Sequence, residues 1–222
     1  MSEQYKVTVW ASVTQVIGNV LLLLEEGLSL LYPRQPRRKL SEENYQYNRE
    51  RDIVNTVIND QGSGKETGVD RLKIGLASMG ECGCEVIAVH NALALLGKKC
   101  SLADIEREFE IEGAMTKVPF VPIGKYGSNP YALKRMLKQF GLNAERVSKY
   151  TVLNQSGLYL YSYWNYGGLM KGLHTITVKN DNGNFELYNY GDMGVRTMDP
   201  YLWDERFWKR FIIGYRITEK EN

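Results

Sequence analysis

The sequence predicts an α+β protein, with helices filling the N-terminal half and an antiparallel sheet the C-terminal half. Three observations carry this. Apolar residues recur at helical spacing in segments up to Phe140, each bounded by a capping residue or a helix-ending glycine. From Leu158 onward apolar and β-branched residues alternate, as they do in half-buried strands. The turn signal Asp181-Asn182-Gly183-Asn184 joins two of those strands into a hairpin. Helices first and an antiparallel sheet after them is the α+β order.

The first element is a long amphipathic helix over residues 8–31. The run from Val7 to Leu24 is uncharged and long enough to approach a membrane span. Thr8, Ser12, Gln15, Asn19 and Glu26 nevertheless form one polar stripe, while Val9, Val13, Val16, Ile17, Val20, Leu21, Leu24, Leu28 and Leu31 fill the other side. Spanning helices rarely carry such a stripe, so the expectation is a helix that lies on the core, on a membrane surface or on a second copy of the chain. If it spans, the cluster Arg34, Arg37, Arg38, Lys39 keeps the following domain cytoplasmic. Pro33 and Pro36 end this helix. Ser41, followed by Glu42 and Glu43, opens a second one that runs to about Asn59. The loop Asp60-Gln61-Gly62-Ser63-Gly64-Lys65 lacks the first glycine of a phosphate-binding loop. It also has Glu66 where Ser or Thr would bind magnesium, so no nucleotide is expected there.

The core begins near Leu72. A helix over Cys84 to Leu96 is closed by Gly97. Ser101, with Asp104 three residues on, caps the next. Residues 113–127 read as loop, and Ser128-Asn129-Pro130 opens a helix from Tyr131 to Phe140 that Gly141 ends. The strands are Leu158–Trp164, His174–Lys179, Phe185–Asn189 and Phe211–Ile217. The composition break near the Gly62-Ser63-Gly64 loop divides the chain into a helical extension, 1–70, and a main domain, 71–222.

Composition narrows the function. A hydrophobic share of 43% and a charged share of 24% belong to a globular protein. A net charge of +2 is too small to imply nucleic acid binding. No basic stretch with a small-residue cleavage site stands at the start, so a signal peptide is not expected. Three cysteines, two of them in Cys82-Gly83-Cys84, form no disulfide framework and fit a reducing compartment, so the expected localisation is cytoplasmic.

Cys84 stands where a glycine-punctuated loop turns into an apolar helix. Amides and the dipole at a helix start stabilise an anion, which favours a thiolate there. Of the two histidines, His90 lies six residues further along the same helix, roughly 9 Å along the axis and more than half a turn out of phase. His174 is therefore the base by elimination. It shares a strand face with Ile176 and Val178, where an imidazole needs a polar partner. Asn189, across the hairpin, supplies one: its side-chain oxygen would accept from one ring nitrogen and aim the other at the thiol. On residue chemistry alone, an inert buried cysteine and a zinc set of Cys82, Cys84, Cys100 and His174 remain alternatives, although Cys-x-Cys is not the spacing of a zinc knuckle.

The segment Gly83-Cys84-Glu85-Val86-Ile87-Ala88-Val89-His90-Asn91-Ala92-Leu93-Ala94-Leu95-Leu96-Gly97 resembles the cysteine-helix motif of the bacteriocin-leader (double-glycine) peptidase group and its stand-alone relatives. Gly97 lies thirteen residues after Cys84, as in that family. The resemblance continues through Ser101-Leu102-Ala103-Asp104-Ile105, Gly127-Ser128-Asn129-Pro130-Tyr131-Ala132-Leu133 and Phe140-Gly141-Leu142 to the His174 strand and Tyr188-Asn189, over residues 72–195. It implies a papain-like fold, with the nucleophile helix packed on the C-terminal sheet. It also implies a cysteine peptidase that uses no cofactor or metal and cleaves a peptide or isopeptide bond in a peptide or protein substrate. Cys84 would be the nucleophile, His174 the general base and acid, and Asn189 the orienting residue. Two departures stand out. Ser78 and Met79 occupy the places of the family's glutamine, so the Ser78 hydroxyl or the Cys84 amide would hold the oxyanion. Asp192 is close enough in sequence to compete with Asn189 for the third role. An acyltransferase using the same thiol and a non-catalytic peptide-binding member remain alternatives.

Overall fold

A computed structural model describes residues 9–31, 38–62, 68–115, 127–165, 172–190, 196–198 and 210–220. Its helices are α1 (Val9–Leu31), α2 (Arg38–Arg49), α3 (Met79–Cys82), α4 (Cys84–Leu95), α5 (Leu102–Ile111), α6 (Leu133–Gln139) and α7 (Lys149–Asn154). Its strands are β1 (Lys73–Ile74), β2 (Ala77–Ser78), β3 (Leu142–Val147), β4 (Gly157–Trp164), β5 (Leu173–Asp181), β6 (Asn184–Tyr188), β7 (Arg196–Met198) and β8 (Phe211–Glu219). β1 and β2 pair with each other, and the rest form one sheet in the order β3-β8-β4-β5-β6-β7. Every pairing is antiparallel, so the α+β class holds.

The pleat sorts two apolar cores. On one face Leu160, Trp164 and Leu173 join the buried side chains of α4, α5 and α6. On the other, Tyr159, Tyr161, Tyr163, Ile176 and Val178 meet Phe185, Leu187 and the α7 residue Val152. α4 runs through the middle of the first core, with every residue from Cys84 to Leu93 buried. A helix apolar on all sides is one that the fold surrounds. Gly83 makes this possible. A Cβ there would strike the Met79 side chain and lie 2.7 Å from the Met79 carbonyl, so only glycine lets α3 turn directly into α4.

Most helix boundaries follow the expected caps. Gly97 and Gly141 have left-handed φ of 68° and 72°, and the Ser101 hydroxyl accepts from the Asp104 amide. The hairpin turn uses Asn182 and Gly183, with φ 51° and 92°. α2 is the exception: it stops at Arg49, ten residues before the expected end. The residues after it serve the core in extended form. Asp52 accepts from the Ser101 hydroxyl at 2.6 Å and the Ala103 amide at 2.9 Å, and Val54 bridges Ser101. The Asn91 side chain of α4 bonds both the amide and the carbonyl of Ile58 at 2.8 Å.

Several such contacts cross residue 70, where the sequence suggests a domain boundary. Asn44 and Asn48 of α2 reach the β1–β2 hairpin and the carboxylates of Glu110 and Glu106 on α5. Ile58 is fully buried in the same core as α4. α1 is attached differently. Its polar stripe faces the domain: the Trp164 indole donates to Asn19 and the Asn129 amide to the Leu22 carbonyl, each at 2.8 Å, and Arg135 pairs with Glu26 at 3.3 Å. Gly18 sits against the Trp164 ring, where a Cβ would come within 2.5 Å.

Candidate functional site

Strand β6 ends at Tyr188, and Asn189 then takes a left-handed φ of 61°. Asparagine is one of the few residues that tolerate this conformation. Pairing between β5 and β6 consequently stops at Thr177↔Tyr188, and no described strand pairs with residues 173–176 on that side. α4 begins beside this open edge. The Thr177 hydroxyl donates to the Ala88 carbonyl at 3.1 Å and the Thr175 hydroxyl to Glu85 Oε1 at 3.3 Å, so α4 and β5 run side by side from the same end.

Cys84 is 4% exposed, and the Thr175 backbone amide points at its sulfur. The thiol thus meets β5 at Thr175, whose side chain faces α4, while the side chain of the preceding residue, His174, is on the opposite face of the strand. Its hydrogen is given to Glu85 Oε2 at 3.0 Å. Burial, and then the Glu85 charge, push the Cys84 thiol well above its ordinary pKa. The resting group is therefore a neutral thiol, not the thiolate that a helix start alone favours.

His174 is half-buried, and its Nε2 lies 2.7 Å from the Asn189 backbone carbonyl. A carbonyl only accepts, so Nε2 carries the proton and Nδ1 keeps its lone pair. Burial holds the imidazole below its usual pKa, leaving Nδ1 a neutral base near pH 7. The Tyr163 ring packs edge-on against it with centroids 5.8 Å apart. Burial keeps the Tyr163 phenol protonated.

Asn189 is therefore the partner of His174, but through its main chain. Its side-chain amide, expected to orient the ring, instead donates to Gln61 Oε1 at 3.1 Å, and Gln61 donates to the Gly80 carbonyl of α3 at 3.1 Å. Ser78 is the N-cap of α3, and its hydroxyl donates to Glu81 at 3.1 Å, which engages the proton that an oxyanion would need. Asp192 lies outside the described residues. The remaining histidine, His90, is fully buried with Nε2 2.9 Å from the Thr56 carbonyl, and Cys100 lies 3.9 Å from that nitrogen. Among the described residues, no three His, Cys, Asp or Glu side chains gather as metal ligands.

Glu85 and Gln61 are the site residues that sequence reasoning missed. Glu85 is fully buried, and burial raises its carboxyl to about 7 against the pull of Cys84, Thr175 and two backbone amides. A raised carboxyl keeps its proton in the folded state at pH values where the unfolded chain has lost it. Stability falls as pH rises from the ordinary carboxyl range to 7, by about 3 kcal/mol for this group. Glu85→Gln should remove that slope, so the variant should gain on the parent between pH 4.5 and 7 in urea titrations; parallel pH profiles would contradict the burial account. The sequence signals for Glu85 are its place in the Gly83-Cys84-Glu85 motif and its charge in the first turn of a largely apolar helix.

No family model matches this chain, and no curated protein matches it.

Proposed function

We propose that the protein is a papain-like cysteine peptidase that cleaves a peptide or isopeptide bond through Cys84, His174 and Asn189. The observation that carries this is the open edge of β5. Cys84 meets the Thr175 amide there, and the next residue along the strand, His174, has its tautomer fixed by the Asn189 carbonyl, which leaves the Nδ1 lone pair to serve as the base. The resemblance of residues 72–195 to the bacteriocin-leader peptidase group points the same way.

In the proposed reaction the thiol turns from Glu85 to His174, and Nδ1 takes its proton. The sulfur bonds to the substrate carbonyl carbon, and the C–N bond breaks as His174 returns the proton to the leaving amine. Water then attacks the thioester with His174 again as base, which frees a carboxylate and restores the thiol. An extended polypeptide would add to β5 here, since among the described residues no strand pairs with residues 173–176 on that side. Acyl transfer replaces that water by an amine. The proposed chemistry uses no cofactor and no nucleic acid.

A second reading is a thiol that binds peptide without turnover, and the Cys84–Glu85 hydrogen bond favours it. Treatment with peptidyl chloromethyl ketones, followed by peptide mapping, separates the two. Cys82, Cys84 and Cys100 are 5%, 4% and 6% exposed, so accessibility alone cannot select among them. The peptidase predicts an adduct on Cys84; labelling spread over all three thiols, or none, supports the binding protein.

A further inference from the structure

α1 is an amphipathic helix mounted with its polar side inward. Gln15, Asn19, Leu22 and Glu26 form the stripe that meets the domain. Val13, Val16, Ile17, Val20, Leu21, Leu23, Leu24, Leu28 and Leu30 face outward, each between 38% and 63% exposed. At 100° per residue these positions sweep roughly 180° of the circumference, from Leu30 round to Leu21. That sector holds no charged residue. A soluble monomer does not leave such a surface in water.

We infer that the outward face of α1 rests on the surface of a lipid bilayer containing anionic lipids, with the helix lying in the interface plane. Two observations choose this occupant over a second copy. A paired helix covers only a narrow seam and is usually edged by charges, whereas this face is half a cylinder wide and unedged. Charge is also arranged for an anionic surface: both acids of the helix, Glu25 and Glu26, lie on its inner side, and Arg34, Arg37, Arg38 and Lys39 follow its end. The attachment points on Trp164, Asn129 and Arg135 hold the helix along the domain, which favours lying on the membrane over crossing it. Burying nine aliphatic side chains by a methylene or more each would be enough for stable adsorption. This inference is independent of the peptidase proposal.

The test is flotation of the full chain with vesicles of phosphatidylcholine alone and of phosphatidylcholine with phosphatidylglycerol, beside light scattering without lipid. Binding to the anionic vesicles is expected, weaker on the neutral ones, and at least about tenfold weaker for Val20→Glu with Leu24→Glu. Those positions are 51% and 57% exposed, so circular dichroism should show both chains folded. A folded monomer that ignores every vesicle overturns the inference. So does a lipid-indifferent dimer that the double variant makes monomeric, because it assigns the face to a second copy.

Discussion

Replacing His174 by alanine should slow the labelling of Cys84 by a peptide electrophile by about 10²–10⁴-fold, the usual worth of a positioned general base. The effect should be this large because, among the described residues, only the Thr175 amide favours the thiolate. The thiol is buried, its first polar contact is an acid, and both raise its pKa. His90→Ala should leave the rate within a few-fold, since that ring is spent on the Thr56 carbonyl. Asn189 supplies the sharper comparison. Its carbonyl, not its amide, accepts from His174, and its φ of 61° suits glycine. Asn189→Gly should therefore keep the rate within about tenfold, while a triad of side chains would lose as much as His174→Ala does. Rates from stopped time courses with mass readout decide this, and equal loss in the two variants would return the orienting role to the amide.

The second large effect concerns where the domain begins. A chain starting at residue 38 should fold cooperatively, and one starting at residue 69 should not. Removing α1 takes away, among the described side chains, one buried apolar residue, Leu22, together with three polar contacts and the outward apolar face. Removing residues 38–68 as well strips both partners of the Asn91 amide, the asparagines facing Glu106 and Glu110, the Asp52 cap of α5 and the side chain of Ile58. Each buried polar group left unpaired costs about 1–3 kcal/mol. Several at once exhaust a stability of about 5–15 kcal/mol. Urea titration of both chains measures it; a cooperative transition for 69–222 would place the boundary at residue 70 after all.

The pattern of what was legible in the sequence follows from this geometry. Local rules placed α4, its closing Gly97, the Ser101 cap and the hairpin, because each depends on a few adjacent residues. β3 and α7 were not anticipated. β3 pairs only with β8, and Arg146 breaks the alternation that Leu142 to Glu145 begin, as an edge strand allows. α2 stops ten residues short of the expected end, because the partners that draw Asp52, Asn55 and Ile58 out of the helix lie on α4 and in the turn that leads into α5. The same holds at the site. Cys84, His174 and Asn189 carry recognisable residue types, but that Asn189 works through its carbonyl depends on a backbone angle. That Glu85 meets the thiol depends on how α4 lies along β5. The stripe of α1 was visible, but its inward mounting rests on Trp164, Asn129 and Arg135, more than a hundred residues away.

The central claim is that Cys84 and His174 act together at the open edge of β5. A crystal structure of the protein after reaction with a peptidyl chloromethyl ketone tests it most directly. The account predicts a bond from Cys84 Sγ to the inhibitor, His174 Nδ1 facing the adduct with Nε2 still on the Asn189 carbonyl, and the peptide extended beside residues 173–176. An adduct on Cys82 or Cys100, or a Cys84 adduct with Nδ1 turned away, would contradict it.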